Sequence, residues 1–521
     1  MGTPQLISLK KGKRVTQKTI GKVLLFRSPL VYHAHVEYED PHPPLELLYL
    51  GAALKPDYDV KILDGQRRVG TPQDFGTQKR IGISDKEILR EASEFTPDLI
   101  GFSIMWHHQV PAARYFAELF KNQFPDVPIV AGGIAPSSSP DLLLESPYVD
   151  FTLSGDGEWA LSKLCRVVTS GGLLSEVPGL AYRDGDTIVS TDKENIKELD
   201  DIPYPAYDLI DLMDYDNGYR RGYHKAYPMS GILPSRGCPL ACHFCSLPAV
   251  SNRLFRTHSV ERVIEDLVRM RDGYGIREVH FYDDNVINNR RFSKKLFKAM
   301  IDQNVGLHWL PEAGFALWKI DKEVLELAKA SGMHRLDLPI ETASDRVKDS
   351  IMDKGLFQNH RVVEIIRMAR EVGVDNIHGY VIVGSPGETL EDMKETLSFV
   401  NALDLDYRGI RYGQPFPGTQ FFDICTNNGF LAADFSLDRL WFSIPNIETP
   451  EFKIHEINAL VAADRAVAMI RQGKVCRTEA LQEIQTKHGT DIAQSAESLI
   501  LELQEKFTAQ EREKQPGSAG T

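Results

Sequence analysis

Twice along this chain, short apolar segments alternate with helical periodicity, and that repetition limits the fold more than any other feature. Strands separated by amphipathic helices build βαβ units and a parallel sheet. In the first run, strands are expected at 23–26, 60–63, 99–104, 129–131 and 149–153, with helices over 45–54 and 110–124. An open, doubly wound sheet places ligands beyond the carboxyl ends of its strands. Those ends carry Ser103, Gly132-Gly133 and Gly155-Asp156-Gly157-Glu158. A hairpin signal at Asp184-Gly185 follows, then an extended acidic and proline-containing stretch over 199–205. The second run places strands at 231–235, 278–282, 307–312, 335–341, 377–383 and 408–414, with helices over 259–274, 321–330, 360–372 and 390–403 between them. Six βα units in succession predict a second parallel sheet, closed or partly closed as a barrel. Beyond residue 421 the strand signal fades, and 454–508 reads as helical. The class is therefore α/β: a flexible tail over 1–20, a doubly wound, Rossmann-like domain over 21–175 and a hairpin and linker over 176–228. A partial (β/α)6 barrel over 229–430, a helical region over 431–508 and a flexible tail over 509–521 complete it.

Composition narrows the function. The 521 residues hold 60 Lys+Arg against 73 Asp+Glu, a net charge of −13, which opposes a nucleic-acid partner. No run of about 18 apolar residues suggests a membrane span. The start of the chain has no apolar secretory core, so a cytoplasmic, reducing location is expected. Six cysteines in such a length exclude a disulfide scaffold.

Three of the six, Cys238, Cys242 and Cys245, fall within eight positions as C-x3-C-x2-C, directly after the first strand of the second run. Three thiolates on one loop can ligate three irons of a [4Fe-4S] cubane and leave the fourth open to a substrate. A zinc ion held by the same cysteines and His243 is the alternative.

The stretch Cys238–Cys245, with Phe244 before its last cysteine, resembles the signature of the radical S-adenosylmethionine (SAM) superfamily. Further segments match at later strand ends in the right order. Tyr282-Asp283-Asp284-Asn285 stands where that family holds the SAM amino group. Ile340-Glu341-Thr342-Ala343 resembles its ribose-contacting segment. Gly384-Ser385-Pro386-Gly387-Glu388-Thr389 resembles its G-x-P-G-E-T turn, and Pro415–Thr419 is similar to the segment after its sixth strand. The resemblance implies SAM contacts from Phe244, Asp283, Asp284, Asn285, Glu341, Ser385 and Pro386.

The first domain resembles the cobalamin-binding domain that precedes this barrel in one subgroup. Pro43–Leu50 is similar to the start of its first helix, Ser103-Ile104-Met105 to its S-x-L, and the glycine turns to its own. Cobalamin contacts are thereby implied for Pro44, Leu45, Ser103, Met105, Trp106, Gly132, Gly133, Gly155, Asp156, Gly157 and Glu158. The glycines are expected to let backbone approach a bulky ligand closely. The D-x-H-x-x-G of domains that put histidine on cobalt is absent from the loop over 27–35. His33, His35, His107, His108 and Trp106 are candidate lower-face residues, and no histidine on cobalt is expected.

The whole is identified as a member of the cobalamin-dependent radical SAM enzymes (class B methyltransferases), with a layout similar to phosphonate C- and P-methylases. That resemblance implies cleavage of SAM to a deoxyadenosyl radical, which takes hydrogen from an unactivated carbon. Methyl transfer from methylcobalamin follows, to carbon or less readily phosphorus, and a second SAM restores the methyl. Two other readings stand beside it: a non-methylating cyclase or rearrangement enzyme with the same cofactors, and a cobalamin sensor without catalysis. The implied partners are a small-molecule or peptide substrate and a low-potential electron donor such as flavodoxin or ferredoxin.

Strand alternation supplies an independent test. If Glu341 faces the barrel interior, so do Asp337 and Arg335; His308 and Glu312 share a face, as do His378 and Tyr380. With Arg411, these residues are expected to line a polar cavity suited to an anionic substrate. The alternative is salt bridges that merely fill the barrel.

Overall fold

The computed structural model of the chain describes residues 6–8, 13–34, 36, 41–68, 70–215 and 224–514. In the first domain, five parallel strands run in the order Asp59–Asp64, Lys22–Arg27, Leu99–Ser103, Ile129–Gly132, Phe151–Leu153. This 2-1-3-4-5 order reverses between Lys22–Arg27 and Leu99–Ser103, which puts the ligand crevice at those two carboxyl ends. The strands are apolar because helices cover both faces: Leu45–Leu54 and Gly157–Ser170 on one, Asp85–Phe95 and Val110–Gln123 on the other. The helix Asp85–Phe95 was not anticipated; Ser84 caps it, accepting the Glu87 N–H.

The hairpin at Asp184-Gly185 forms, but it belongs to this sheet rather than to a connector. Leu180–Asp184 pairs antiparallel with Phe151–Leu153 and with Thr187–Ser190. The expected tail over 1–20 also needs correction, since Leu6–Ser8 adds a parallel edge strand to Thr187–Ser190. A small antiparallel sheet of Leu30–Tyr32, Gln78–Ile81 and Gln73–Phe75 lies beside it.

The barrel's six strands are Met229–Ile232, Glu278–Phe281, His308–Pro311, Leu336–Glu341, Ile377–Val383 and Tyr407–Tyr412. All neighbours are parallel, and the ladder divides into two groups of three joined by a bridge from Trp309 to Met333. The first strand ends earlier than expected, and Ser235-Arg236 instead pairs with Arg256-Thr257. The fifth strand shows the barrel's two sides most clearly. Ile377, Gly379, Val381 and Val383 are buried, while His378, Tyr380 and Ile382 are half-buried.

Three helices, Ile454–Arg471, Arg477–His488 and Thr490–Lys514, close the far side. The last of them runs into the expected tail over 509–521, as far as Lys514. They share a core with Val383, Met393, Leu397 and Tyr412. Arg408 Nη1 pairs with Asp464 at 3.2 Å, and Lys394 Nζ with Glu502 at 2.9 Å. Among the described residues no helix is long and apolar enough to cross a membrane.

Candidate active site between the two α/β domains

The thiol loop opens at Gly237, whose φ of +86° and close approach to the Leu254 carbonyl leave no room for a Cβ. Burial raises all three thiols, Cys242 to about 11 and Cys245 to about 12, and a bound cation would favour their thiolates. Among the described residues the three sulfurs do not gather within 4.8 Å of one another. Tetrahedral zinc would need them about 3.8 Å apart. The loop therefore suits a multi-iron cluster better than one ion. His243, the remaining ligand of the zinc alternative, has its Nδ1 2.8 Å from the Ile351 carbonyl oxygen.

Two aspartates hold this loop in place. Asp283 Oδ1 accepts the Ser235 N–H at 2.5 Å and the Ser235 hydroxyl. Asp284 Oδ2 accepts the Gly237 N–H at 2.9 Å. Burial raises both carboxyls, Asp284 to about 6. Neighbouring polar atoms have no protein partner although buried: Asp283 Oδ2, Asn285 Oδ1, Ser385 Oγ and Glu388 Oε1. A buried unpaired polar atom costs about 1–3 kcal/mol, so four at the ends of two adjoining barrel halves fit a polar ligand such as SAM. Pro386 lies in the same turn, between Gly384 and Gly387, and Ser385 N–H donates to Glu388 Oε2 at 2.8 Å.

Glu341 ends the fourth strand with φ +62°, after a register shift past Pro339. A left-handed glutamate is uncommon and concentrates at functional sites. A π-helical turn, Val347–Ile351, follows it. Glu341 Oε1 accepts from Lys354 Nζ at 2.5 Å. Burial disfavours that ammonium, but Glu341 and Cys242 outweigh it and keep Lys354 charged beside the thiols. Phe244 packs edge-on against Phe421, ring centroids 6.0 Å apart.

The first domain meets the barrel at its own strand ends. Ser103 Oγ donates to Glu46 Oε1 at 3.0 Å, on the helix that Pro44 precedes and Leu45 begins. The Met105 and Trp106 N–H groups both donate to Gln109 Oε1. Trp106 is 42% exposed and faces Phe416 and Phe442 of the barrel, centroids 6.5 and 5.7 Å away. This aromatic seam beside Ser103 and Gly132 fits a broad, flat macrocycle such as a corrin.

Several residues expected on cobalamin have other partners. A Cβ on Gly133 would strike the Ile104 carbonyl, so its φ of +117° serves the domain's own turn. Between Gly155 and Gly157, Asp156 pairs with Arg236 at 3.2 Å and Arg256 at 2.5 Å; Glu158 pairs with Arg236 at 2.7 Å. Those arginines flank the thiol loop, so the carboxylates bind the two domains together. His107 Nε2 lies 2.8 Å from Ser138 Oγ and 3.1 Å from the Pro417 carbonyl. His108 stacks on Trp441 at 3.8 Å, and His33 lies 3.2 Å from Asp438. His35 is outside the described residues.

Most of the expected lumen residues do come together. Arg335 donates to both oxygens of Asp337, with Nη2–Oδ2 at 2.7 Å, and reaches Glu312 at 4.0 Å. Burial raises Asp337 to about 7, even beside that arginine. His378 Nδ1 lies 3.6 Å from Asp337. Arg411 stands 5.8 Å from the ring centroids of Tyr380 and Phe442. His308 does not join them; it lies at the start of its strand beside His334. Sequence reasoning missed Lys354, Arg236 and a set of histidines around Glu278: His42, His224, His280 and His334. The alternation Glu278-x-His280 on one strand face was the available signal.

Two family models match the chain: the radical SAM superfamily over residues 232–400 and the B12 binding domain over 34–164. The cytidylyl-2-hydroxyethylphosphonate methyltransferase of Streptomyces wedmorensis is 29% identical over 443 residues, 78% of this chain and 82% of that protein. An anaerobic magnesium-protoporphyrin IX monomethyl ester cyclase of Synechocystis is 24% identical over 75% of this chain and 74% of its own. Among solved structures, the radical SAM methyltransferase TsrM of Kitasatospora setae, with cobalamin and a [4Fe-4S] cluster bound, superposes with a TM-score of 0.63. It is 20% identical, with 79% of each chain covered.

Proposed function

We propose that this chain, a cobalamin-dependent radical SAM enzyme of the methyltransferase type, methylates an unactivated carbon of a small anionic substrate held in the barrel lumen. The observation that carries the substrate class is Arg411. Among the described residues no carboxylate pairs with it, and Tyr380 and Phe442 flank it at the barrel mouth. A guanidinium so placed suits a carboxylate, phosphate or phosphonate. The phosphonate named in the Streptomyces relative is of that class.

When bound, the cluster with SAM supplies a carbon-centred radical oxidant, and the cobalamin supplies the methyl group. The chain's own residues position and shield these groups. Cys238, Cys242 and Cys245 hold the cluster, Asp283 and Asp284 fix the loop that carries them, and Lys354 offsets its negative charge. Asn285, Glu341, Ser385 and Pro386 border the SAM side, while Ser103, Trp106 and Gly132 border the corrin side. A low-potential flavodoxin or ferredoxin would supply the electron.

The test is anaerobic turnover with methyl-deuterated SAM and a panel of anionic substrates. A product heavier by the labelled methyl is expected. Arg411→Ala should raise KM about tenfold or more with kcat less affected. The magnesium-protoporphyrin cyclase relatives favour one competing reading. Deoxyadenosine with an unlabelled, ring-altered product would establish it. An output that survives Cys242→Ala would instead mark a sensor.

A further inference from the structure

Below the mouth of the barrel lies a donor set that the thiol loop does not involve. Glu278 begins the second strand and is wholly buried, and His280 follows it on the same face. His224 arrives from the segment before the first strand. Glu278 Oε1, His280 Nε2 and His224 Nδ1 face one another: 3.0 Å from Glu278 to His280, 3.3 Å between the imidazoles, 3.8 Å from Glu278 to His224. A point roughly 2.0–2.1 Å from all three atoms lies just off their plane, the bond length of zinc to imidazole or carboxylate. It is the one group of three such donors within 4.8 Å among the described residues.

The supporting contacts also suit a metal. A ligating imidazole commonly anchors its other nitrogen on a carboxylate, and His280 Nδ1 lies 3.0 Å from Glu312 Oε2. The second oxygen of Glu278 accepts the Lys225 and Ala226 N–H groups at 2.5 and 2.7 Å. His334 Nε2 stands 3.2 Å from Glu278 Oε1. His42 enters from the first domain, its ring centroid 5.5 Å from His224 and 5.8 Å from His280. No arginine or lysine side chain pairs with Glu278 among the described residues; its partners are imidazoles and backbone N–H groups. A buried carboxylate needs a compensating positive charge.

We propose that His224, Glu278 and His280 bind a divalent transition-metal ion of the zinc class inside the barrel. Glu278 begins its strand, whereas Asp283 and Asp284, which hold the thiol loop, lie beyond its carboxyl end, and no cysteine joins the donor set, so this ion is distinct from the cluster. Glu312, with Arg335 behind it, lies against the other nitrogen of His280, on the far side of that ring from the ion. The site does not depend on the methyl-transfer reading.

The experiment uses the full-length chain carrying Cys238→Ala, Cys242→Ala and Cys245→Ala, so that cluster iron and loop thiols cannot contribute. After chelator treatment it is dialysed against Zn2+, and bound metal is counted by mass spectrometry. One equivalent is expected, with a Tm that rises with Zn2+ concentration. Glu278→Gln and His224→Gln should each weaken binding by about 100-fold or more. Co2+ in the same chain should give visible bands of a site with nitrogen and oxygen donors. No uptake by the triple-alanine chain overturns the proposal. So does uptake that stays equal in both added variants; His224→Gln, outside the barrel strands, serves if Glu278→Gln fails to fold. A chain that binds zinc yet methylates nothing would leave this site standing and defeat only the substrate reading.

Discussion

The barrel presents two candidate metal-binding regions built on opposite plans. At the mouth, three cysteines from eight consecutive positions are spread too widely for one ion. Deeper inside, Glu278 and His280 of one strand and His224 of the segment before the first strand converge on one point. The thiols are local in sequence and depend on their neighbours for shape, through Asp283, Asp284 and Gly237. His224 is remote in sequence from Glu278 and His280, which one strand places on the same face. A loop can be read as a motif; a convergence across strands needs the fold.

Two buried glutamates make the same contrast electrostatically. Glu278 and Glu388 are both wholly buried. Burial, helped by the nearby charge of Asp392, pushes Glu388 up to about 8. Burial also opposes ionisation of Glu278, but hydrogen bonds from His224, His280 and His334 prevail and hold its carboxyl far below the usual range. The two carboxyls, equally buried, are thus pushed in opposite directions by their neighbours.

The largest effect expected is from Cys242→Ala. It should abolish the cluster's visible absorbance and turnover while zinc uptake by the histidine site is unchanged. Loss of both together would mean the two regions are one. Arg236→Met comes next, because Arg236 supports the thiol loop and leaves Asp156 and Glu158 buried with less compensation. Breaking such a network costs about 3–5 kcal/mol, readable by denaturant unfolding. Glu312→Gln should weaken zinc binding about 10- to 100-fold and leave cluster absorbance intact, since it supports His280 and pairs with Arg335 rather than with the thiol loop.

Glu388→Gln tests the neutral carboxyl. Unfolded, Glu388 loses its proton above about pH 4.5; folded, it retains it to about 8. The wild-type chain therefore loses stability as pH rises through that window. The glutamine variant should show a shallower decline, with a difference on the order of 1–3 kcal/mol at pH 8. Lys394→Ala, at a partly exposed pair with Glu502, should cost under about 1 kcal/mol and leave both metal regions unaffected.

Much of this was legible beforehand, for identifiable reasons. Period-two and helical patterning located all six barrel strands, because a parallel strand covered by helices is a short apolar run. The polar face of Ile377–Val383 was visible as alternation, and Arg335, Asp337 and Glu312 do meet. The roles of Asp156 and Glu158 were not legible. A G-D-G-E turn beside a ligand crevice and one that salt-bridges a second domain read alike until Arg236 and Arg256 are placed opposite. Asp283 and Asp284 likewise spend one oxygen each on the thiol loop's backbone, which no local pattern reveals. Lys354 was missed because its partner Glu341 lies thirteen positions away across an irregular π-helical turn. His42 was missed because its neighbours belong to the other domain.

The strand Tyr407–Tyr412 has a ladder partner on one side only, and the helix Ile454–Arg471 buries its outer flank. The ribosome delivers that helix late. At about 5–20 residues per second, the strand waits roughly 3–12 s before its cover has been synthesised. During that interval the nascent barrel carries an apolar flank open to its neighbours on the polysome. Chains halted before residue 454 should gather on chaperones and precipitate, whereas chains that carry all three terminal helices should not. The terminal helices thus act on the chain's birth as much as on its finished form.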